Sequence, residues 1–135
     1  MPEEGEEMSG FKQIISIIII IIIIITLDFI LEGYTKHAVN TMTDTLKEID
    51  ELIAKEDNKS KDKSKELVKK WDDLQQLLTC YIEHDEIEKV GDKVALLEKQ
   101  VKIENYTDAR QSITETEFLL KHIEDKQSFS IENFF

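Results

Sequence analysis

Cys80 and His84 are the residues of this sequence whose types and spacing come nearest to a reactive pair. Four positions apart, they would share one face of a helix, with Glu83 and Glu88 beside them as further metal-type ligands. No second Cys or His pair stands at ligand spacing, and a lone thiol on a helix ordinarily packs, so no metal site is expected. His84 is read instead as a cap or bridge, and His37 and His122 as surface or edge-of-core residues. The 29 Asp and Glu side chains offer many carboxylates, but acid and base catalysis needs two of them in an apolar pocket with divergent pKa values. Amphipathic helices normally carry such acids on their solvated faces. A glycine-rich phosphate loop, a G-x-S-x-G elbow and a His-Glu-x-x-His motif are all missing from the sequence. The expectation is a non-enzymatic chain with no catalytic residue and no cofactor.

The remaining polar clusters read as surface. Residues 55–70 hold seven lysines against Glu56, Asp57, Asp62 and Glu66, a locally basic tip that would suit anionic lipid, polymer or an acidic partner. A solvated loop explains them as well and is the expectation. Asn58-Lys59-Ser60 and Asn105-Tyr106-Thr107 match the glycosylation sequon, yet both fall where helix caps are expected. Trp71 is the only tryptophan. It lies within an apolar stripe and is expected to anchor the core between the first two helices of the soluble part.

The elements that must position these groups are helical. The chain has 135 residues, of which 34% are charged and 41% hydrophobic, with one Cys, one Pro, four Gly and a net charge of −12. That charge excludes an ordinary nucleic-acid binder. So few turn-forming residues exclude a many-stranded β fold, and a single Cys excludes an internal disulfide.

Ile14 to Leu31 is apolar except for Ser16, Thr26 and Asp28, and Ile17 to Ile25 is unbroken isoleucine. As a helix, this run is about 27 Å long at roughly 1.5 Å per residue, close to the hydrocarbon thickness of a bilayer. A cleaved signal peptide would want a basic start and small residues at a cleavage site. The leader has Glu3, Glu4, Glu6 and Glu7 before Lys12, and no Ala-x-Ala follows the run. An uncleaved transmembrane helix over residues 11–31 is therefore expected, after an acidic leader of residues 1–10. Lys12, Lys36 and Lys47 are too evenly placed for the flanking charges to set an orientation. Asp28 lies within a turn of the run's end and is expected to reach the headgroup layer.

Residues 32–127 are expected to form a helical bundle. Val39, Met42, Leu46, Ile49 and Ile53 step by three and four, as do Leu67, Trp71, Leu74, Leu78 and Tyr81, and then Ile87, Val90, Val94, Leu97 and Val101. Between Leu78 and Ile87 the stripe moves half a turn out of phase. Either one long helix presents opposite faces to two neighbours or the chain bends between Glu83 and Glu86. With no Gly or Pro there, continuity is the expectation. Glu56 to Ser64 has no apolar residue and is read as a turn and a frayed helix start that contributes nothing to the core. The last helix should begin near Asn105, capped with Asp108 three positions on, and bury Ala109, Ile113, Thr116, Leu120 and Ile123. Residues 128–135 form an aromatic tail, expected to fold back onto the bundle. The fold class is thus all-α: one N-terminal transmembrane helix continuing into an antiparallel helical bundle or long helical hairpin. Heptad-like spacing beside a single-pass helix also suits a parallel coiled coil, which leaves a homodimer physically open.

Trp71, the stretch Tyr81-Ile82-Glu83-His84-Asp85-Glu86-Ile87, and the ending Phe129-Ser130-Ile131-Glu132-Asn133-Phe134-Phe135, all after a membrane helix, give the chain a recognisable pattern. It resembles a family of short single-pass membrane proteins of spore-forming Gram-positive bacteria, a domain of unknown function, over nearly its whole length. The resemblance implies a bacterial cell-membrane protein whose helical part lies outside the cytoplasm, and it supplies no reaction or cofactor. The expected role is a protein–protein interaction or scaffold module of the envelope, with lipid and another membrane or envelope protein as partners and no nucleic acid. A dimerising sensor or ligand-binding ectodomain with a separate signalling partner is the alternative. Trp71, Tyr81, His84, Phe129, Ile131, Asn133, Phe134 and Phe135 are the structural or interaction candidates.

Overall fold

A computed structural model describes the backbone of residues 3–132 and the side chains of residues 7–129. Four α-helices account for nearly all of it: α1 (Glu3–Ala54), α2 (Lys59–Leu78), α3 (His84–Lys102) and α4 (Tyr106–Glu132). The chain divides into two compact units, Met1–Gly33 and Tyr34–Phe135.

In the first unit the helix already includes residues of the acidic leader. Its isoleucines Ile17 to Ile24 are 49–59% exposed, so the apolar run is uncovered on every side. The hydroxyls of Ser16 and Thr26 donate to the carbonyls of Lys12 and Ile22 at 2.9 and 2.8 Å, which leaves neither needing water. This helix is long and apolar enough to cross a membrane.

The second unit is a four-helix bundle in which each helix runs antiparallel to its neighbours. The cross-helix polar contacts set the order. Thr45 and Glu48 of α1 meet Lys70 and Lys63 of α2, at 3.0 and 2.6 Å. Lys61 of α2 meets Glu104 just beyond α3 at 3.2 Å. Gln100 and Lys93 of α3 meet Ser112 and Glu115 of α4. Arg110 of α4 closes the ring by a two-pronged contact to Asp50 of α1, at 2.8 and 3.3 Å. Every stripe turns inward. Met42, Leu46, Ile49, Leu67, Val90, Leu97, Val101 and Ala109 are wholly buried, with Trp71, Leu78, Ile87, Val94, Leu120 and Ile123 nearly so.

Two expectations are corrected. The chain is not one helix through His84: α2 stops at Leu78 and α3 starts at His84, after a turn in which the Ile82 N–H donates to the Leu78 carbonyl at 2.8 Å and Glu83 turns extended, with ψ 131°. The phase change explains the break. A continuous helix would bury its two stripes on opposite sides, whereas folding α3 back along α2 lets both face one core. The second correction concerns the lysine-rich stretch. It holds two core residues, Ser60 and Ser64, which are 0% and 1% exposed. Ser64 Oγ satisfies itself on the Lys61 carbonyl at 2.8 Å, while Ser60 Oγ finds no hydrogen-bond partner among the described residues.

The start of α4 is as expected. Asn105 Oδ1 accepts from the Asp108 N–H at 3.4 Å, and Asn105 Nδ2 donates to the Asp108 carboxylate at 2.7 Å. Helices α1 and α3 end alike. Asp57 N–H reaches the Leu52 carbonyl and Glu56 N–H the Ile53 carbonyl; Asn105 N–H reaches the Gln100 carbonyl and Glu104 N–H the Val101 carbonyl. Both are Schellman motifs, and both put glutamate, at φ 53° and 60°, where glycine is usual. Because a β-carbon is strained in that left-handed region, Glu56→Gly should stabilise the bundle by about 1 kcal/mol, read as a raised thermal midpoint in detergent solution. An unchanged or lowered midpoint would show that the motif carries no such strain.

Gly91 of α3 makes room for Trp71, since a β-carbon there would lie 3.2 Å from the indole Nε1. In Gly91→Ala a helix-propensity gain of about 1 kcal/mol opposes that crowding and leaves stability close to the parent. Gly91→Leu has good propensity but cannot fit, and should cost about 1–3 kcal/mol in denaturant unfolding.

Candidate functional site

Of the candidate residues, the end of the bundle at which α1 enters holds Tyr81, His84 and Phe129. Tyr34 and Thr35 lie on α1. The Tyr34 hydroxyl donates to the Leu74 carbonyl of α2 at 3.3 Å, and Thr35 Oγ1 shares a 2.9 Å hydrogen bond with the Tyr81 hydroxyl. Tyr81 stands beyond the end of α2, in the turn, so the tie to Thr35 holds that turn against α1. Burial raises the Tyr81 pKa above its usual value, with the Thr35 hydrogen bond opposing. On the other side of the turn, Lys126 of α4 bridges Glu83 and Glu86 at 2.8 and 2.9 Å. Three segments, α1, the α2–α3 turn and α4, are thereby pinned at one level. A cleft of ≈ 160 Å³ lies between the turn and α4, lined by Tyr81, Ile82, Glu83, Glu86, Ile123 and Lys126. It is smaller than the roughly 300–1,000 Å³ of small-molecule pockets.

Trp71 is 2% exposed and its Nε1–H has no hydrogen-bond partner among the described residues. It serves packing, deep in the core against α3. His84 opens α3, lies mostly in solvent, and meets Glu88 at 3.0 Å. Cys80 is exposed in the turn, its Sγ–H directed at the Gln76 carbonyl at 3.7 Å, so the helical face that would have joined it to His84 does not exist. Among the described residues no three His, Cys, Asp or Glu side chains converge as a metal centre would require. Of the aromatic tail, residues 128–132 extend α4 as helix rather than turning back, and Phe129 is 64% exposed. The side chain of Ile131, and Asn133, Phe134 and Phe135 entirely, lie outside the described residues.

The candidate residues chosen from the sequence omit Phe118. It projects from α4 at 72% exposure beside Leu119, in shallow grooves shared with Lys89 and Lys93 of α3. Its sequence signal is its position: it falls outside the stripe of Thr116, Leu120 and Ile123, so an inward role is excluded.

These features define a class of protein: an all-α four-helix bundle carrying one N-terminal helix long and apolar enough to span a bilayer. Residues 29–134 match the family described as Domain of unknown function (DUF4363), which covers the whole bundle, and the chain belongs to that family. No curated protein and no solved structure matches the chain.

Charge on the bundle surface is organised in cross-helix and intrahelical pairs that couple folding to pH. The Lys70 hydrogen bond, then that of Lys63, holds Glu66 below its usual carboxylate value, and Lys93 and Gln111 do the same for Glu115. A depressed folded-state pKa contributes stability above the unfolded value near 4.5, and that contribution is lost as pH falls through the lower folded value. The thermal midpoint of Glu66→Gln, Glu115→Gln should therefore lie below that of the parent at pH 7, the gap narrowing as pH falls below 4.5. A gap that stays constant across this range would remove these pairs as its source.

Proposed function

We propose that this chain is a single-pass membrane protein of a bacterial cell envelope whose bundle, outside the cytoplasm, acts as a non-enzymatic protein–protein interaction module. The observation that carries the reading is the uncovered run Ile17 to Ile24. Fully burying an isoleucine is worth roughly 2 kcal/mol, so this run leaves on the order of 15 kcal/mol unclaimed until lipid covers it. The bundle has the opposite character. Its interior is filled by apolar side chains and by threonines and serines, several bonded back to their own helix, as Thr45, Ser64 and Thr116 are. Such an interior supplies no reacting constellation, and function falls to the surface. Phe118 and Leu119, flanked by Lys93 and Glu115, are the contact candidates on the bundle wall. The likeness to single-pass proteins of spore-forming Gram-positive bacteria supports the envelope assignment.

The full chain should pellet with membranes and resist extraction by alkaline carbonate. Each Asp at the centre of a spanning helix costs about 2.5–3.5 kcal/mol, so Ile19→Asp combined with Ile22→Asp should move the protein to the soluble fraction. Protease added to intact cells should cut in the lysine-rich residues 55–70. Carbonate-extractable parent protein defeats the anchor, while membrane-bound protein cut only after lysis defeats the outward placement alone.

A further inference from the structure

We infer that the C-terminal turns of α4, led by Phe129, dock in the headgroup layer of the bilayer, giving the bundle a second and peripheral membrane contact. This rests on the reading of Ile14–Leu31 as the membrane span. Among the described residues, the last buried side chain of α4 is Ile123, 2% exposed, and its last ion pair into the bundle is that of Lys126 with Glu83 and Glu86. The helix nevertheless continues to Glu132. Of those six further residues Gln127 still lines the cleft beside Tyr81 and Ile82 and Ser128 is half-buried, while residues 129–132 add about 6 Å of helix at 1.5 Å each. They carry a phenyl ring at 64% exposure on Phe129, and Ile131 follows, then Phe134 and Phe135 in the sequence.

The projection leaves the bundle at the end where Tyr34 enters it. Thr35 is bonded to Tyr81 and Lys126 to Glu83, and Tyr81 and Glu83 are two residues apart in one turn. Tyr34 is three residues from Leu31, the end of the apolar run, and three residues of chain reach at most about 10 Å. With Ile14–Leu31 as the span, this covalent link keeps the first residue of the bundle within about 10 Å of the hydrocarbon. The headgroup layer on each side of the hydrocarbon is about 5–8 Å thick, a distance the projecting helix can cover. Phenylalanine and isoleucine on a helix end gain by leaving water for the boundary of the acyl chains. A tethered surface is also present at high effective concentration, which no separate protein partner matches. Charge does not drive the contact: Glu132 is the only charged side chain in residues 128–135, so zwitterionic lipid should suffice.

The test uses the full chain with Cys80→Ser in phosphatidylcholine vesicles, carrying bimane on one introduced cysteine at a time, with bromine-substituted acyl chains as the quencher. Ser128→Cys keeps Phe129 and reports on the projecting turns. Ile20→Cys reports on the span, and Phe118→Cys reports on an exposed site of the same helix ten residues earlier than Ser128. Bromolipid should quench the Ile20 and Ser128 probes several-fold and leave the Phe118 probe unchanged, and adding Phe129→Ser should restore most of the Ser128 emission. Because Phe129 is exposed, its replacement should leave the thermal midpoint in place. A Ser128 probe as bright as that at Phe118, beside a quenched Ile20 probe, overturns the docking and leaves the anchor standing. A blue-shifted but unquenched Ser128 probe overturns it in favour of cover by protein. An unquenched Ile20 probe overturns the membrane span and this inference together.

Discussion

A single helix in this protein carries two incompatible patterns of hydrophobicity, and the rest of the structure answers to that. Over Ile14–Leu31, α1 is apolar on all sides; from Tyr34 onward it is apolar along one stripe, Val39, Met42, Leu46, Ile49 and Ile53. A helix satisfies its own backbone, so both patterns can be helical, but each asks for a different environment. The stripe asks for other helices, and α2, α3 and α4 supply them. The run that is apolar all round asks for what no helix of this chain provides.

Within the bundle, the same demand for one-sided burial fixes the connections. Each of α2, α3 and α4 has a single inward stripe, and antiparallel neighbours with short turns bring four stripes to one axis. The two distal turns, after α1 and α3, use the same Schellman geometry and place Glu56 and Glu104 at positive φ. The turn between α2 and α3 is built differently, from ordinary residues, and is held from outside by Thr35 on Tyr81 and by Lys126 on Glu83. Its shape is enforced by tertiary contacts, where the distal turns close through their own backbone.

That difference decides what could be read in the sequence. The stripes were legible because burial imposes a period of 3.6, and their residues are the buried ones, Leu74 and Tyr81 being partly so. The Asn105 cap was legible because its chemistry is local. The half-turn phase shift between Leu78 and Ile87 admits either a bend or a continuous helix, and with no Gly or Pro nearby the sequence favours continuity; the break at Thr79–Glu83 is decided by tertiary contacts. Ser60 and Ser64 are not legible as core residues, because a polar type ordinarily marks an exposed position, although a side chain this small can be buried in a close-packed interior. The metal-like pairing of Cys80 with His84 requires a helical face that the same break removes. At the candidate site, Tyr81 and the aromatic tail were singled out by type, but what brings Tyr81 to Thr35 and Lys126 to Glu83 is separated by more than 40 residues and leaves no local trace.

The outer side of α4 is where the arrangement leaves most room for recognition. Phe118 and Phe129 are eleven residues apart, which at 100° per residue is three turns with a residue of about 20°, so both rings lie along nearly one line of the helix. His122 and Asp125 occupy the turns between them, both exposed. The inward stripe of Ile113, Thr116, Leu120 and Ile123 lies on the other side and is fully used by the core. The two exposed rings therefore contribute nothing to closing the bundle. Being at different heights, they meet different surroundings: Phe118 faces whatever stands beside the bundle wall, and Phe129 faces what lies beyond the end where α1 enters. Helix α4 thus packs on one side and displays aromatic rings at two levels on the other, so the core fixes its inward stripe and leaves the types of residue at 118 and 129 free of any packing demand.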